Sequence, residues 1–191
     1  RVEGGHQPDA VLHLPAAARS IPATLELTRH ADGSCGAALA TEHRSPASGL
    51  RRRLVHVTCR FTPAADPPGA APPAEAPPKA LAVPAERIYA ELVPFGPRLR
   101  NLQGMAHLWR HGALGEAWAR PLPDDLEAGG AAGSPLPLDA AFHLACAWGQ
   151  RYHGWVAFPV GFAARTVHRP TRPGERCRVW VEPRGADAGG L

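Results

Sequence analysis

The alternation of apolar and polar positions is clearest in the first third of the chain. Between Ala23 and Arg29, Leu25 and Leu27 face Thr24, Glu26 and Thr28 across a period of two, the signature of a half-buried strand. Ala31-Asp32-Gly33-Ser34 then supplies a turn, since Asp-Gly readily adopts the hairpin geometry. Gly36 to Thr41 returns, and Leu54 to Phe61 places Val55, Val57, Cys59 and Phe61 on one face. The pattern predicts an antiparallel meander with one buried face and no helix. His56 falls on the opposite row of its strand, as a solvent-side or strand-pairing residue.

From Thr62 to Pro84 the character changes. Pro63, Pro67, Pro68, Pro72, Pro73, Pro77 and Pro78 are interspersed with Ala, and proline lacks the N–H that a ladder or helix interior uses. A semi-extended surface linker is predicted. The chain thus divides into residues 1–62 (antiparallel strands), a linker over 63–85, and a second unit over 86–191.

In the second unit the pattern predicts a short strand at Ile88 to Leu92, a loop at Phe95-Gly96-Pro97, and strands at Met105 to Arg110 and Leu114 to Ala119. A loop over Leu122 to Pro137 leads into an apolar helix, 138–152, followed by strands near Val156 to Val167 and Arg176 to Glu182. The tryptophans Trp109, Trp118, Trp148, Trp155 and Trp180 read as core. One long helix among antiparallel strands makes the class α+β.

That helix carries the candidate chemistry. In Leu138-Asp139-Ala140-Ala141-Phe142-His143 a carboxylate and an imidazole lie four residues apart and so share one helix face. The surroundings, Phe142, Leu144, Ala145, Cys146 and Trp148, are apolar, and desolvation of a carboxyl raises its pKa toward the range a general acid needs. The competing reading makes Asp139 a helix cap or a partner of the helix dipole.

Two flanking segments bear on that choice: Leu92-Val93-Pro94-Phe95-Gly96-Pro97-Arg98-Leu99 upstream and Trp155-Val156-Ala157-Phe158-Pro159-Val160-Gly161-Phe162 downstream. In this order around a D-x-x-x-H helix, they resemble the second half of the dehydratase domains of type I polyketide synthases. Those domains are double hotdog folds with a G-Y-x-Y-G-P-x-F loop, a D-x-x-x-Q/H helix and an L-P-F-S-W-like strand. This chain keeps Phe95, Gly96 and Pro97, has Leu99 for the last aromatic, and has Leu92 and Val93 for the opening Gly-Tyr. Of the third motif it keeps Pro159. The stretch from Arg87 to about Val181 looks most similar to the iterative polyunsaturated-fatty-acid-synthase group.

The resemblance implies a second hotdog plus part of a first. It also implies a reaction: loss of water from a 3-hydroxyacyl thioester, with Asp139 as the acid and His143 as its orienting partner. Phe95, Gly96, Pro97, Leu99 and Pro159 would line the acyl site. No cofactor is implied in the domain, the substrate being carried on the phosphopantetheine of an acyl carrier protein. The implied partners are that carrier and neighbouring synthase domains, with a homodimer left open. The family's basic histidine lies on an H-x-x-x-G-x-x-x-x-P motif, and none of His6, His13, His30 and His43 has Gly four residues on. The expected account is truncation: the chain begins at Arg1, ends at Leu191, and lacks a predicted helix in its first unit. A dehydratase-like scaffolding or acyl-holding module and a hotdog thioesterase using Asp139 are the alternatives.

Composition adds little. The 191 residues carry a formal charge of +4. Arginines cluster at Arg51, Arg52 and Arg53 and again at Arg165, Arg169, Arg172, Arg176 and Arg178. Without interleaved aromatics or a recognition motif this does not indicate nucleic acid, whereas an acidic carrier would be steered by it. No apolar run approaches a bilayer span, so no membrane is expected. Cys35, Cys59, Cys146 and Cys177 form no C-x-x-C pair and the ten histidines form no H-E-x-x-H pair, so no metal site is expected and a reducing cytoplasm is the natural compartment.

Overall fold

The computed structural model describes residues 2–6, 20–45, 47–62, 75–121, 133–156, 159 and 161–184. They fall into two compact units, one of residues 1–68 and 159–166, the other of 69–158 and 167–191.

The first unit is an antiparallel five-stranded sheet. Its strands are β1 (Val2–His6), β2 (Thr24–Arg29), β3 (Cys35–Arg44), β4 (Arg51–Phe61) and β8 (Gly161–Arg165), in the order β2-β3-β4-β1-β8. The predicted Asp-Gly turn joins β2 to β3. There Asp32 accepts hydrogen bonds from the Ser34 backbone and hydroxyl at 2.9 and 2.6 Å and from Arg60 at 2.7 Å. These bonds, Ser34's first, hold the Asp32 carboxyl at about 2. Three findings differ from the sequence pattern. The strand Gly161–Arg165, expected with the second unit, pairs with β1. Leu25 and Leu27 remain 63% and 66% exposed, because β2 is an edge strand and no helix occurs among the described residues of this unit. His56 is buried, opposite a register shift in the β3–β4 ladder, with its Nε2 2.8 Å from the Thr41 hydroxyl. It pairs across strands and does not face solvent.

The second unit wraps an antiparallel sheet, β5 (Leu81–Pro84), β6 (Leu102–Trp109), β7 (Gly112–Ala119) and β9 (Glu175–Val181), against the long helix α2 (Leu136–His153). A short helix, α1 (Ala85–Glu91), joins β5 to the loop before β6. The inward row is small on β7: Ala113, Ala117 and Ala119 are fully buried. Gly115, in the same row, leaves room for Leu102, since a Cβ there would stand 2.9 Å from Leu102 Cδ1, while Leu144 Cδ2 would be in ordinary contact at 3.6 Å. Leu144 of α2 and Leu102 fill that space and are buried to 0% and 1% exposure. Tryptophan packs as expected at Trp148, whose indole N–H donates to the Trp109 carbonyl at 3.0 Å, but Trp155 is 47% exposed.

Two predicted elements of this unit are corrected. Ile88 to Leu92 is not a strand: Ala85, Ile88 and Tyr89 are buried at helical spacing, Pro84 sits at the N-cap, and Arg87 donates to Glu91 at 2.9 Å one turn on. The linker also ends earlier than 85, since Leu81–Pro84 pairs with β6 as an edge strand, where proline's missing N–H costs no ladder bond. Residues 63–74 of the linker and 122–132 of the predicted loop lie outside the described residues.

The core packing is testable. Leu144→Ala should cost about 2–5 kcal/mol of unfolding free energy in urea, from lost burial and the cavity left over Gly115. An unchanged urea midpoint would contradict this seating of α2.

Candidate active site

Helix α2 starts two residues before the predicted position. Gly133, at φ +65, brings the chain against 170–171 so closely that a Cβ would lie 2.6 Å from the Thr171 nitrogen. Ser134 N–H donates to the Thr171 hydroxyl at 2.9 Å, and the Ser134 hydroxyl accepts the Leu136 N–H at 3.2 Å. The N-cap residue is Pro135, which offers no side-chain cap, and the Asp139 N–H already donates to the Pro135 carbonyl at 3.1 Å. The Asp139 carboxylate is therefore not a helix cap. It sits in the first turn, a favourable place for negative charge, and faces other side chains.

Those side chains are two, one from just before β6 and one from α2 itself. Asp139 Oδ2 lies 3.4 Å from Asn101 Nδ2 and 3.5 Å from His143 Nε2. Asn101 is the last residue before β6 and is wholly buried; its backbone N–H donates to Leu99 O at 3.0 Å and its carbonyl accepts from Trp118 N–H at 2.8 Å. Its Oδ1 and His143 Nε2 have no hydrogen-bond partner among the described residues. A buried acceptor left unpaired costs about 1–3 kcal/mol, so this amide is held at a loss. The Asp139 side chain itself is 33% exposed.

His143 is fixed from its other side. The Tyr89 hydroxyl stands 3.1 Å from His143 Nδ1 and accepts the Leu102 N–H at 2.7 Å. With its lone pair engaged by Leu102, the phenol has one proton to give, and donating it to Nδ1 puts the imidazole proton on Nε2, toward Asp139. The Tyr89 ring meets His143 edge-on at 5.5 Å, and the Phe95 ring lies tilted over it at 4.9 Å. Burial drives the imidazole below its ordinary value of 6.5, with the Asp139 charge opposing only in part. Burial, reinforced by the Asp139 charge, also pushes the Tyr89 phenol up, so it stays a donor. The histidine is thus neutral at neutral pH.

The Phe95–Leu99 loop stands beside this trio. Phe95 packs on the core, while Gly96, Pro97 and Leu99 are exposed, Leu99 at 42%. Gly96 has extended geometry, and a Cβ there would meet nothing within 4 Å. Two arginines brace the loop. Arg100 Nε donates to Phe95 O at 2.9 Å, and Arg120, its guanidinium 4.9 Å over the Trp118 ring, donates to Pro97 O and Arg100 O at 3.0 and 3.2 Å. Pro159 is exposed and belongs to the first unit. Ala157, Phe158 and Val160 of its motif, and His13, lie outside the described residues.

Sequence reasoning found Asp139, His143 and Phe95 as neighbours but left Tyr89 unassigned and passed over Asn101, Arg100 and Arg120. Nothing local separates Asn101 from a turn residue; its contact with Asp139 spans 38 positions. A cavity of about 530 Å³ lies elsewhere in this unit, against the outward residues Met105, His107, Glu116 and Arg178, and none of the predicted site residues lines it. Among the described residues there is no cluster of three or more His, Cys, Asp or Glu suited to a metal, no helix long and apolar enough to cross a membrane, and no imidazole but His143 against Asp139.

No protein-family model and no curated protein matches the chain. Solved structures do. The erythromycin dehydratase is 20% identical with a TM-score of 0.64, over 97% of this chain and 65% of that one. A dehydratase domain of the curacin polyketide synthase is 19% identical with a TM-score of 0.63, over 95% and 63%. A structure from a study of dehydratases of the borrelidin and fluvirucin synthases is 24% identical with a TM-score of 0.57, over 87% and 57%. The chain has the hotdog-like fold of these dehydratase domains and spans less than two thirds of their length.

The neutral histidine predicts a pH effect. Below about 6.5 the unfolded chain takes up a proton that folded His143 resists, so stability falls as pH drops through that value. His143→Gln should therefore lose less unfolding free energy than wild type between pH 7 and pH 5, measured by urea unfolding at each pH. Parallel losses would contradict the buried neutral imidazole.

Proposed function

We propose that the chain is part of a dehydratase domain of a polyketide or polyunsaturated-fatty-acid synthase, contributing the second hotdog and part of the first of a double hotdog. Within that reading it sits closest to the polyunsaturated-fatty-acid-synthase-like iterative group. The observation that carries the proposal is the free use of Asp139. In a hotdog-like fold, the first turn of the central helix presents a carboxyl that caps nothing and is met by His143 and Asn101 on one oxygen only.

Elimination of water from a 3-hydroxyacyl thioester needs two proton transfers. A base removes the α-proton, the released electron pair forms the Cα–Cβ double bond, and the Cβ–O bond breaks as an acid protonates the departing hydroxyl. Asp139 is the acid. His143, neutral and clamped by Tyr89 and Phe95, orients it and does not compete for the proton. The base in such a domain is a histidine on the H-x-x-x-G-x-x-x-x-P motif, which no histidine of this chain matches. Phe95, Pro97 and Leu99 border the acyl chain, and Gly96 leaves room for its backbone to approach the thioester. Holding acid and base against one substrate makes both proton transfers intramolecular.

The substrate arrives on the phosphopantetheine of an acyl carrier protein, with no other cofactor. Part of the basic surface suited to an acidic carrier is already neutralised within the chain. Arg53 pairs with Glu26 at 2.5 Å and Arg176 with Glu116 at 2.9 Å, and Arg169 pairs with Glu175. Steering therefore falls more to arginines outside these pairs, such as Arg52 and Arg172, than to the count of basic residues.

The test is turnover of a 3-hydroxyacyl carrier substrate by the parent polypeptide. Asp139→Ala should lower it by about 10²–10⁴-fold with the fold intact, the usual contribution of a general acid. Asp139→Asn should fail almost as badly, because an amide cannot deliver the proton. His143→Gln should be milder, since it keeps a hydrogen-bonding group and Gln occurs at this place in the motif. Wild-type turnover by Asp139→Ala would overturn the assignment, and release of free acid in place of enoyl thioester would replace the dehydratase with a thioesterase.

A further inference from the structure

Both contacts recorded for the Asp139 carboxyl fall on Oδ2, from Asn101 Nδ2 at 3.4 Å and His143 Nε2 at 3.5 Å. A carboxylate only accepts, so the end of the Asn101 side chain that faces it is the NH2. The backbone of Asn101 is pinned on both sides, by Leu99 O and Trp118 N–H, and its side chain is completely buried. Its remaining polar atom, Oδ1, meets no partner among the described residues. An asparagine serving to knit the loop to the sheet would have both ends satisfied, as buried polar groups generally are. This one engages only the carboxylate.

We propose that Asn101 is a positioning residue for Asp139, one that, with His143, makes Oδ2 the accepting oxygen and leaves the transferable proton on Oδ1. The inference rests on the reading of Asp139 as the acid. In a neutral carboxylic acid one oxygen carries the proton and the other accepts, and two N–H groups directed at Oδ2 decide which is which. In the elimination, the Oδ1–H bond breaks and the proton joins the β-oxygen as the Cβ–O bond breaks. The electron pair of that O–H bond stays on Asp139, and the resulting carboxylate retains the two N–H groups already aimed at it. The contacts are long in the free protein, and such bonds shorten as charge develops. Asn101 touches no reacting atom; it acts through Asp139.

Two measurements test this. In the parent polypeptide, Asn101→Leu, of similar volume but with neither N–H nor carbonyl, should lower kcat by on the order of 10-fold to 100-fold, the loss of one hydrogen bond to a charged group. KM should stay within about twofold, because substrate contacts are untouched. In an Asp139→Ala background the same change should have no further effect, since there is nothing left to orient. The second measurement uses the 191-residue chain itself, where the Asn101 side-chain NH2 resonances in a 15N-labelled sample should move on Asp139→Ala. Wild-type kcat in Asn101→Leu, with Asp139→Ala inactive, would overturn the positioning role and leave the acid assignment standing. Activity in Asp139→Ala would remove both. If Asn101→Leu does not fold, the resonance test decides: unmoved NH2 signals overturn the proposal and displaced ones support it.

Discussion

Leu144 meets Gly115 halfway along α2, and the remainder of the site is built outward from that contact. The absence of a Cβ at Gly115 leaves room for Leu102, whose Cδ1 a Cβ would crowd at 2.9 Å, and Leu144 closes over the same point. His143, the residue before Leu144, and Asp139, one turn before His143, share the adjoining face of the same helix. The seating of an apolar side chain thus sets the height of a carboxyl above the sheet. Gly133 and Ser134, closed onto Thr171, settle where the helix starts and relieve Asp139 of any capping duty.

The polar groups of the site are arranged at some cost. Tyr89, His143 and Asn101 are all withdrawn from water, yet His143 Nε2 and Asn101 Oδ1 lack normal hydrogen bonds among the described residues. Buried groups of this kind are destabilising unless something uses them. The Tyr89 hydroxyl reduces the deficit by serving Leu102 and His143 together, and so links α1, β6 and α2 through one oxygen. The imidazole is kept uncharged by burial, so it stands 3.5 Å from the carboxyl without acting as a competing acid.

Elements with a sustained period were legible in the sequence. The helix through Asp139 and His143, and the strands containing Leu25, Val57, Ala106 and Val179, lie where alternation or helical spacing puts them, within a few residues. The failures were short or long-range. Ile88 to Leu92 is too brief for its β-branched and aromatic content to outweigh the helical spacing of Ala85, Ile88 and Tyr89. Leu81–Pro84 was hidden by the prolines around it, which an edge strand tolerates. Strand partners are a property of the whole chain, so nothing near Gly161–Arg165 announced its pairing with β1. In the site, the Asp139–His143 pair was visible because four residues of helix bring the two together. Asn101 was not, because its meeting with Asp139 depends on how β6 enters the sheet beneath α2.

The central claim, that Asp139 delivers the proton to the departing hydroxyl, is tested most directly by a structure with a stable substrate analogue. The 3-hydroxyacyl amide of pantetheine, bound to the parent polypeptide, serves. The account predicts its β-oxygen within about 2.6–3.2 Å of the Asp139 carboxyl, on Oδ1, with Asn101 and His143 still on Oδ2. A β-oxygen bonded to His143, or an acyl chain bound away from Asp139 and Phe95, would contradict it.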